Sequence, residues 1–331
     1  MSGPPRILVT GATGFLGGRL VRRLRVDGAE VIAAGRDGAR GAQLAAKGIR
    51  FLQADLAGLS QACRAGGIAA VDAVVHAAAL SSAWGSRAAF REANVDGTRH
   101  ALDLARSLGA RRFLFVSSPS LTFRFRDQHG IREADALPPP VNAYAWSKGV
   151  AEALVRAERG MGTIILRPRA IYGAGDAALL PRLIRAAEAG PLPLLRGGRA
   201  VTQLTHVDDV TEAIARALAA PPQADGRIYH ITGPETLPLT DIIAEACSRA
   251  GVRLRWRAVP WPLASAAAGM AEALAHLRPG RPEPRITRYG LGLLAFSQVL
   301  DTAAAARDLG FVPRISFAEG LDETFGRGRP A

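Results

Sequence analysis

The stretch Arg6-Ile-Leu-Val-Thr-Gly-Ala-Thr-Gly-Phe-Leu-Gly17 decides how the first part of this chain folds. It begins with an apolar run, as in strands of a parallel sheet that is covered on both faces. Glycines let the backbone turn tightly and approach a pyrophosphate, whose charge the N-terminus of a following helix favours. The stretch therefore predicts a strand, a dinucleotide-binding turn and a helix, with contacts from Gly11, Thr13, Gly14, Phe15, Leu16 and Gly17.

The first half of the chain continues to alternate short apolar runs with helical patterns, which is typical of βαβ units. Strands are predicted at 6–10, 30–34, 49–53, 73–76, 113–117 and 163–167, and helices at 15–27, 41–47, 87–108 and 143–159. Proline and glycine accumulate afterwards, which indicates a smaller and less regular lobe. We predict an α/β fold with a dinucleotide-binding domain at 1–170 and a substrate-binding lobe at 171–331, interleaved with the sheet domain at about 201–231.

The composition argues against several classes of protein. Apolar residues make up 48% of the 331 residues and charged residues 21%, as in packed globular chains. The formal charge is +13, but the arginines are scattered, so we expect no nucleic-acid partner. Cys63 and Cys247 form no spacing pattern, so neither a disulfide framework nor a metal site is indicated.

The expected location is the cytoplasm, because the cysteine usage fits a reducing compartment and no secretory leader precedes the first strand. The membrane candidate is the alanine-rich run from Val259 to Leu277. Alanine dominates this run and Glu272 lies within it, whereas a spanning helix needs about 20 strongly apolar residues. We therefore expect a buried or partly lipid-facing helix and no spanning segment.

The end of the second predicted strand bears on the choice of cofactor. A carboxylate there binds the ribose 2′-hydroxyl of NAD and repels a 2′-phosphate. Here the strand ends in Ala33-Ala-Gly-Arg36, so NADP(H) is favoured over NAD(H) through a charge-assisted contact with Arg36, assisted by Arg40. A surface arginine in an arginine-rich chain is the alternative for Arg36. Further predicted cofactor contacts are Asp55, Leu56, Ala77, Ala78 and Ala79, whereas His76 is interpreted as structural.

Tyr144-Ala-Trp-Ser-Lys148 places a phenol and an ammonium one helical turn apart on the same face. Lysine occurs in this chain only at positions 47 and 148. A neighbouring cation favours the phenolate and so lowers the pKa of a tyrosine. The pair therefore predicts that Tyr144 acts as a general acid/base with Lys148 beside it. In isolation the same spacing also fits an exposed helix face.

Together the motifs resemble those of the extended short-chain dehydrogenase/reductases. The matching pieces, in family order, are TGATGFLG at 10–17, ADL at 54–56, HAAA at 76–79, NVDGT at 94–98, FVSS at 115–118, YAWSK at 144–148, LRPRAIYG at 166–173 and HVDDV at 206–210. The resemblance implies a Rossmann-type doubly wound parallel sheet and a nicotinamide cofactor. It also implies homodimers formed through the helices at 87–108 and 143–159.

The same resemblance implies roles for individual residues. Ser118 would hydrogen-bond the substrate oxygen, with Ser117 as the alternative, and Tyr144 would exchange the proton. Lys148 would lower the pKa of Tyr144 and hold the ribose hydroxyls, and Asn94 would support the site. Pro168 and Ile171 would lie at the nicotinamide, while His206, Asp208 and Asp209 are interpreted as a capped helix start.

The branch of the family bears on the substrate. Sugar-nucleotide enzymes of this family usually present an Asn and an Arg that serve the diphosphate, but Ala170 and Thr202 occupy those places here. Segments around 259–263, 287–290, 301–311 and 316–321 are similar to the 3β-hydroxysteroid dehydrogenase-like branch, which includes 2-alkyl-3-ketoalkanoate reductases. The predicted substrate contacts are Ser81, Ser82, Trp84, Ser118, Pro119, Ser120 and Tyr172.

These inferences predict an NADP(H)-dependent oxidoreductase that interconverts a secondary alcohol and a ketone. The substrate would be a hydrophobic 3-hydroxy or 3-keto compound, steroid-like or a 2-alkyl-3-keto acid. One alternative is a sugar-nucleotide epimerase, reductase or dehydratase. A non-enzymatic NADP(H) sensor is the other, although degenerate sensors generally lose the Tyr/Lys pair that this chain keeps.

Overall fold

The computed structural model describes residues 3–284 and 286–326, so the predicted lobe residues 285 and 327–331 lie outside the described part of the chain. Its strands are β1 Arg6–Thr10, β2 Glu30–Gly35, β3 Arg50–Gln53, β4 Ala73–His76, β5 Arg112–Val116, β6 Gln128–Ile131, β7 Gly162–Pro168, β8 Ile171–Tyr172, β9 Leu192–Leu195, β10 Val201–Thr202, β11 Thr205–His206, β12 Arg227–Ile231, β13 Leu237–Pro238, β14 Trp256–Val259 and β15 Gln298–Leu300.

The helices connect these strands and cover the faces of the sheets. They are α1 Phe15–Val26, α2 Gly38–Ala45, α3 Leu59–Ala65, α4 Arg87–Phe90, α5 Gly97–Ser107, α6 Ala143–Ala157, α7 Leu180–Ala189, α8 Val207–Ala219, α9 Leu239–Arg249, α10 Trp261–Leu277, α11 Arg288–Ala295, α12 Ala303–Leu309 and α13 Phe317–Thr324.

The largest sheet has seven strands in the order β12-β7-β5-β4-β1-β2-β3, and its neighbouring strands run parallel. The chain first moves outward from β1 to β3 and then crosses back to β4 on the other side of β1. This reversal creates a crevice at the carboxyl ends of β1 and β4, where open α/β sheets bind their ligands. The predicted doubly wound parallel sheet is confirmed.

Helices cover both faces of this sheet, as the continuously apolar strands predict. Along β1, Ile7 and Val9 join a cluster with side chains of α1, α8 and α12, while Leu8 joins a cluster with α3, α5 and α6. Adjacent residues of one strand thus enter separate cores. The large sheet is therefore covered by one apolar layer on each face.

The second half of the chain is shared between the large sheet and smaller units. Strand β12 pairs with β7 and α8 packs against α1, so residues 207–231 return to the large sheet. A four-stranded sheet of order β13-β10-β15-β6 and a β14-β9 pair lie outside it. Strand β10 lies next to β15 because Thr202 pairs with Gln298.

The alanine-rich run forms α10, which packs against α11. Leu263, Met270, Leu274 and Leu277 on this helix are exposed. Within the described residues, no helix has both the length and the apolar character that crossing a bilayer requires.

Candidate active site

The glycine turn between β1 and α1 brings two pieces of backbone together. The Gly14 N–H donates to the Gly11 carbonyl at 2.9 Å. Gly11 has φ +71°, and a Cβ there would lie 2.7 Å from the Ala78 backbone nitrogen beyond β4. No side chain caps the N-terminus of α1, so its first N–H groups remain free for an anion. This cradle fits the pyrophosphate of a dinucleotide.

Arginine side chains border the turn at the end of β2. Arg40 donates to the Thr13 carbonyl at 2.9 Å, and Asp37 caps α2 by accepting from the Arg40 N–H at 3.0 Å. Arg36 is exposed, and its guanidinium has no hydrogen-bond or ion-pair partner among the described residues. Arg36 is therefore free to meet a ligand, whereas Arg40 and Asp37 stabilise the turn.

The ends of β3 and β4 complete the wall of the crevice. Asp55 accepts from the Gly58 N–H at 2.7 Å, and Leu56 packs against Gly97. The backbone of Ala77 and Ala78 lies so close to Gly11 that a side chain at Gly11 would keep the two segments apart. The small residues thus keep the crevice floor close to the backbone.

His76 has a structural role in this wall, as the sequence predicts. Its Nδ1 lies 2.8 Å from the Thr10 hydroxyl and its Nε2 lies 3.2 Å from the Thr98 hydroxyl. Because Thr98 donates its own proton to the Asn94 carbonyl, it accepts from Nε2. Burial lowers the pKa of His76 to about 3, so the ring is neutral at pH 7.

Asn94 lies where the predicted helix at 87–108 departs from regular geometry. Residues Arg91–Asp96 form a π-helical segment between α4 and α5, a distortion found frequently at functional sites. The Asn94 amide accepts from the Leu80 N–H at 2.7 Å and donates to the Leu80 carbonyl at 3.1 Å. It also donates to the Ser147 hydroxyl at 2.9 Å. Asn94 therefore holds the loop after β4 against α6.

Tyr144 lies in the first turn of α6, whose N-cap Asn142 accepts from the Ala145 N–H at 2.8 Å. Burial raises the pKa of Tyr144, while hydrogen bonds from the Ser118 and Ser81 hydroxyls act in the opposite direction. The Ser118 side chain also caps the short 3₁₀ turn Pro119–Thr122. Ser118 and not Ser117 hydrogen-bonds the phenol, and the buried Ser117 hydroxyl has no partner among the described residues.

Lys148 is buried, and its ammonium makes contacts that the sequence does not reveal. It donates to the Val116 carbonyl at 2.7 Å and lies 4.4 Å from the centre of the Phe115 ring. Burial lowers the pKa of Lys148 to about 8. Burial is the largest influence on Tyr144 and raises its pKa, so the effect of Lys148 on that phenol stays a prediction.

The predicted substrate residues divide into two groups. Ser81 reaches the phenol, and Pro119 and Ser120 form the turn after Ser118. Ser82 accepts from the Trp84 N–H at 3.1 Å and so shapes the loop after β4.

Trp84 stacks on His276 of α10, with ring centres 4.5 Å apart, and donates to the Arg281 carbonyl at 2.9 Å. Tyr172 differs from these residues, because it is 1% exposed within the core of the lobe and donates to the Ser316 carbonyl at 3.3 Å. Its position at the end of the nicotinamide-loop motif suggested a pocket residue, but its side chain packs inside the lobe.

The loop between β7 and β8 carries the predicted nicotinamide residues. Pro168 is buried, and Ile171 packs against the core on the α1 side of the sheet. Ala170 between them adopts φ 45°, an uncommon conformation for a residue with a side chain. Such strain clusters at ligand-binding sites, where the surrounding structure maintains it.

The capped helix start at the beginning of α8 agrees with its interpretation as structural. The His206 ring accepts from the Asp208 N–H at 3.4 Å, and Asp208 is held by the Arg19 guanidinium. Asp209 accepts from the N–H groups of Arg314 and Ile315 at 3.1 and 3.2 Å. These contacts fix the C-terminal segment to the sheet domain.

Three further side chains near the catalytic group were not identified from the sequence. Arg169 is 8% exposed and Tyr289 interacts electrostatically with both Arg169 and Tyr144. Gln298 is buried and donates to the Pro119 carbonyl at 3.1 Å. Arg169 and Tyr289 belong to motifs quoted above, LRPRAIYG and the segment at 287–290, but no local pattern indicates that they approach Tyr144.

Comparison with known proteins identifies a family and named relatives. Residues 7–232 match the model described as the NAD dependent epimerase/dehydratase family. A 2-alkyl-3-oxoalkanoate reductase of Stenotrophomonas maltophilia (strain K279a) is 33% identical over 324 residues, covering 96% of this chain and 97% of that protein. A 4-hydroxy-2-methyl-3-oxo-4-farnesyl-3,4-dihydroquinoline-1-oxide ketoreductase of Stigmatella aurantiaca is 32% identical over 320 residues, covering 96% and 95%.

More distant similarities extend in two directions. A 3 beta-hydroxysteroid dehydrogenase/Delta 5-->4-isomerase of Mycobacterium tuberculosis (strain ATCC 25618 / H37Rv) is 26% identical over 343 residues, covering 96% and 89%. The crystal structure of a dTDP-glucose 4,6-dehydratase from Streptomyces venezuelae with NAD bound superposes with a TM-score of 0.73 at 27% identity, covering 97% and 96%. These matches confirm the resemblance inferred from the motifs.

Proposed function

Because this chain belongs to the NAD dependent epimerase/dehydratase family, we propose that it interconverts a secondary alcohol and a ketone with NADP(H). The chain is an oxidoreductase of that family, with relatives named as reductases and dehydrogenases. The proposed substrate is a hydrophobic 3-hydroxy or 3-keto compound, steroid-like or a 2-alkyl-3-keto acid. The observation that supports the reaction most directly is the phenol of Tyr144 beside the hydroxyls of Ser118 and Ser81.

The bound nicotinamide would supply a hydride to the carbonyl carbon, or take one up in the reverse reaction. Residues of the chain bind the substrate oxygen and exchange its proton. Ser118 donates a hydrogen bond to the substrate oxygen, and Tyr144 transfers its proton to that oxygen during reduction. Ser81 provides a second hydroxyl that hydrogen-bonds the phenol. The raised pKa keeps Tyr144 protonated, and therefore able to act as the acid, at neutral pH.

Lys148 stabilises the charge that Tyr144 acquires when it loses its proton. With a pKa of about 8, Lys148 is mostly protonated at pH 7 and supplies an ammonium within the buried site. A cation stabilises a neighbouring phenolate more strongly in a desolvated site than in water. By stabilising the phenolate relative to the phenol, Lys148 would lower the pKa of Tyr144 from the value that burial alone would give.

NADP(H) is proposed over NAD(H) because Arg36 is exposed at the end of β2 without a partner among the described residues. The test is the KM for NADPH and NADH in wild type and Arg36→Ala. A charge-assisted hydrogen bond contributes about 1.5–3 kcal/mol, so the KM for NADPH should rise about 10- to 100-fold while that for NADH changes little. An equal change in both constants would contradict the proposed contact.

A screen of substrates tests the reaction itself. Absorbance of the reduced nicotinamide would be followed with steroids, 2-alkyl-3-keto acids and sugar nucleotides as separate arms. The relatives named as a 3 beta-hydroxysteroid dehydrogenase and as a 2-alkyl-3-oxoalkanoate reductase support the first two arms, and the similarity to a dTDP-glucose 4,6-dehydratase supports the third. Turnover confined to sugar nucleotides would contradict the proposed substrate class and favour a sugar-nucleotide epimerase, reductase or dehydratase.

A further inference from the structure

Arg169 is a buried cation without an acidic partner. It follows β7, is 8% exposed, and has no carboxylate within ion-pair distance among the described residues. One guanidinium nitrogen, Nη2, donates to the Thr202 hydroxyl at 3.0 Å, and Nε is buried without a hydrogen-bond partner. Burying a charge is costly unless it is paired and hydrogen-bonded. The fold alone therefore does not explain why this position carries an arginine.

Arg167, two residues earlier and within β7, is an arginine with a structural role. It is 1% exposed and makes two hydrogen bonds to the Glu152 carboxylate, at 2.8 and 2.6 Å. This bidentate geometry is the one by which guanidinium groups usually bind carboxylates. Arg169 is also buried and offers a donor of the same kind, but no carboxylate of the described residues lies within ion-pair distance of it.

The partly satisfied polar groups around Arg169 lie next to the catalytic group. We use the name polar cluster for Arg169, Thr202 and Gln298. Thr202 pairs with Gln298 across β10 and β15, and Gln298 donates to the carbonyl of Pro119, which directly follows Ser118. The Gln298 Oε1 atom is buried without a partner. The cluster thus extends from Arg169 to the turn after Ser118.

Tyr289 connects the polar cluster with Tyr144 from a second direction. It packs edge-on against Phe123 with ring centres 5.3 Å apart. Burial raises the pKa of Tyr289 to about 12, and Arg169 and Tyr144 both act on it electrostatically. Tyr289 is therefore near enough to both Arg169 and Tyr144 to interact electrostatically with each, while Gln298 links the polar cluster to the residue after Ser118.

We propose that Arg169 binds the carboxylate of the substrate, which makes the substrate a 3-hydroxy or 3-keto acid and not a neutral steroid. This inference rests on the proposed function. In such an acid one carbon atom separates the carboxylate from the reacting carbon, so the anion must be bound close to Ser118 and Tyr144. The unpaired Nε of Arg169 would donate to one carboxylate oxygen, while Nη2 donates to the other or stays on Thr202.

The experiment compares an acid with its neutral methyl ester in wild type, Arg169→Met and Arg169→Lys. A 2-alkyl-3-hydroxyalkanoic acid is used, because hydroxy acids do not lose carbon dioxide as keto acids do, and NADP⁺ reduction is followed. Charge-assisted hydrogen bonds predict a KM for the acid at least about 10-fold higher in Arg169→Met, with the ester nearly unchanged and Arg169→Lys intermediate. Equal effects on acid and ester, or no effect on either, would overturn the inference.

Thermal unfolding separates a binding role from a structural one. An unpaired buried charge destabilises the fold, so Arg169→Met should melt at or above the wild-type temperature without ligand. The matched control Arg167→Met leaves Glu152 buried and unpaired and should melt well below wild type. If Arg169→Met melts as low as Arg167→Met, Arg169 is structural and the inference is wrong.

The same melts decide the binding claim independently of turnover. The acid, in the presence of NADP⁺, should raise the melting temperature of wild type more than the ester does, and this difference should vanish in Arg169→Met. If neither compound is oxidised but the difference in melting appears, the proposed reaction fails and the carboxylate site stands. If both compounds are oxidised and no difference appears, the reaction stands and the site fails. Stabilisation of wild type by inorganic phosphate and not by the acid would also overturn the inference.

Discussion

The two walls of the active-site crevice are built in opposite ways. On the sheet side, backbone meets backbone, and a Cβ at Gly11 would lie 2.7 Å from the Ala78 nitrogen. On the lobe side, the polar cluster of Arg169, Thr202 and Gln298 comes from segments far apart in the sequence, and two of its buried atoms, Arg169 Nε and Gln298 Oε1, have no hydrogen-bond partner among the described residues. The first wall is shaped by backbone packing, whereas the second is shaped by side chains whose polar atoms are only partly satisfied.

This difference between the two walls explains how one fold accommodates many substrates. A pyrophosphate is bound by backbone N–H groups and a helix N-terminus, which depend on chain geometry and little on side-chain identity. A substrate is recognised by side chains whose polar atoms are satisfied only when the correct partner arrives. Relatives named for ketones, steroids and sugar nucleotides are consistent with this division.

The largest effect is expected for the phenol that faces the cofactor crevice. Tyr144→Phe removes the proton donor, and general acid/base catalysis contributes about 10²- to 10⁴-fold, so kcat should fall by that factor. The dissociation constant for NADPH, measured by fluorescence titration, should change little. Tyr289→Phe is the matched control on the lobe side, with an expected loss in kcat of less than about 10-fold because Tyr289 donates no proton to the substrate. Wild-type kcat in Tyr144→Phe would refute the assignment.

Two glycines with the same φ angle allow the effect of backbone crowding in the glycine turn to be measured separately from the effect of backbone conformation. Gly11 and Gly251 both have φ +71°, but nothing lies within 4 Å of a Cβ at Gly251. Alanine in this left-handed conformation costs about 1–2 kcal/mol, so Gly251→Ala should lower the free energy of unfolding by that amount and leave NADPH binding intact. Gly11→Ala adds a backbone collision and should lose more stability as well as NADPH affinity. Identical urea denaturation curves and NADPH affinities for the two variants would contradict the close backbone approach proposed at Gly11.

A smaller effect concerns the pH dependence of stability, to which two buried histidines of the large sheet contribute. His76 lies at the end of β4 and His230 lies in β12. Burial lowers the pKa of His76 to about 3 and that of His230 to about 4. The unfolded chain protonates these rings near pH 6.5, so between about pH 6.5 and 4 it binds protons that the folded chain does not, and stability falls as pH falls. Each ring contributes a slope of about 1.4 kcal/mol per pH unit within this window.

The test is urea unfolding of wild type, His76→Asn and His230→Asn at several pH values. Each variant should show a shallower loss of stability with acid than wild type, because one of the two rings no longer takes up a proton on unfolding. His230 is held by the Ile131 carbonyl at 3.2 Å and His76 by two threonines, so both variants are expected to be less stable at pH 7. Parallel curves for all three proteins would contradict the low pKa values.

Much of the fold follows from local patterns. The apolar runs predict β1 and β4 at their observed bounds and the neighbouring strands within two residues of their ends, because each strand is covered on both faces. Strand β12 was not predicted, although its pairing with β7 completes the sheet. The helix predicted at 87–108 contains a π-helical segment, which depends on packing and not on the helical period.

The glycine turn, the parallel sheet and the Tyr144–Lys148 pair could be predicted from the sequence alone, because these features depend on residues close together in the chain. The partners of the buried groups depend on the tertiary structure alone: Lys148 donates to the Val116 carbonyl, and Arg169 has no carboxylate within ion-pair distance among the residues that the structure describes. Burial and long-range contacts arise when distant segments pack together, and they set the pKa of a phenol or the need of a guanidinium for an anion. No local spacing encodes them.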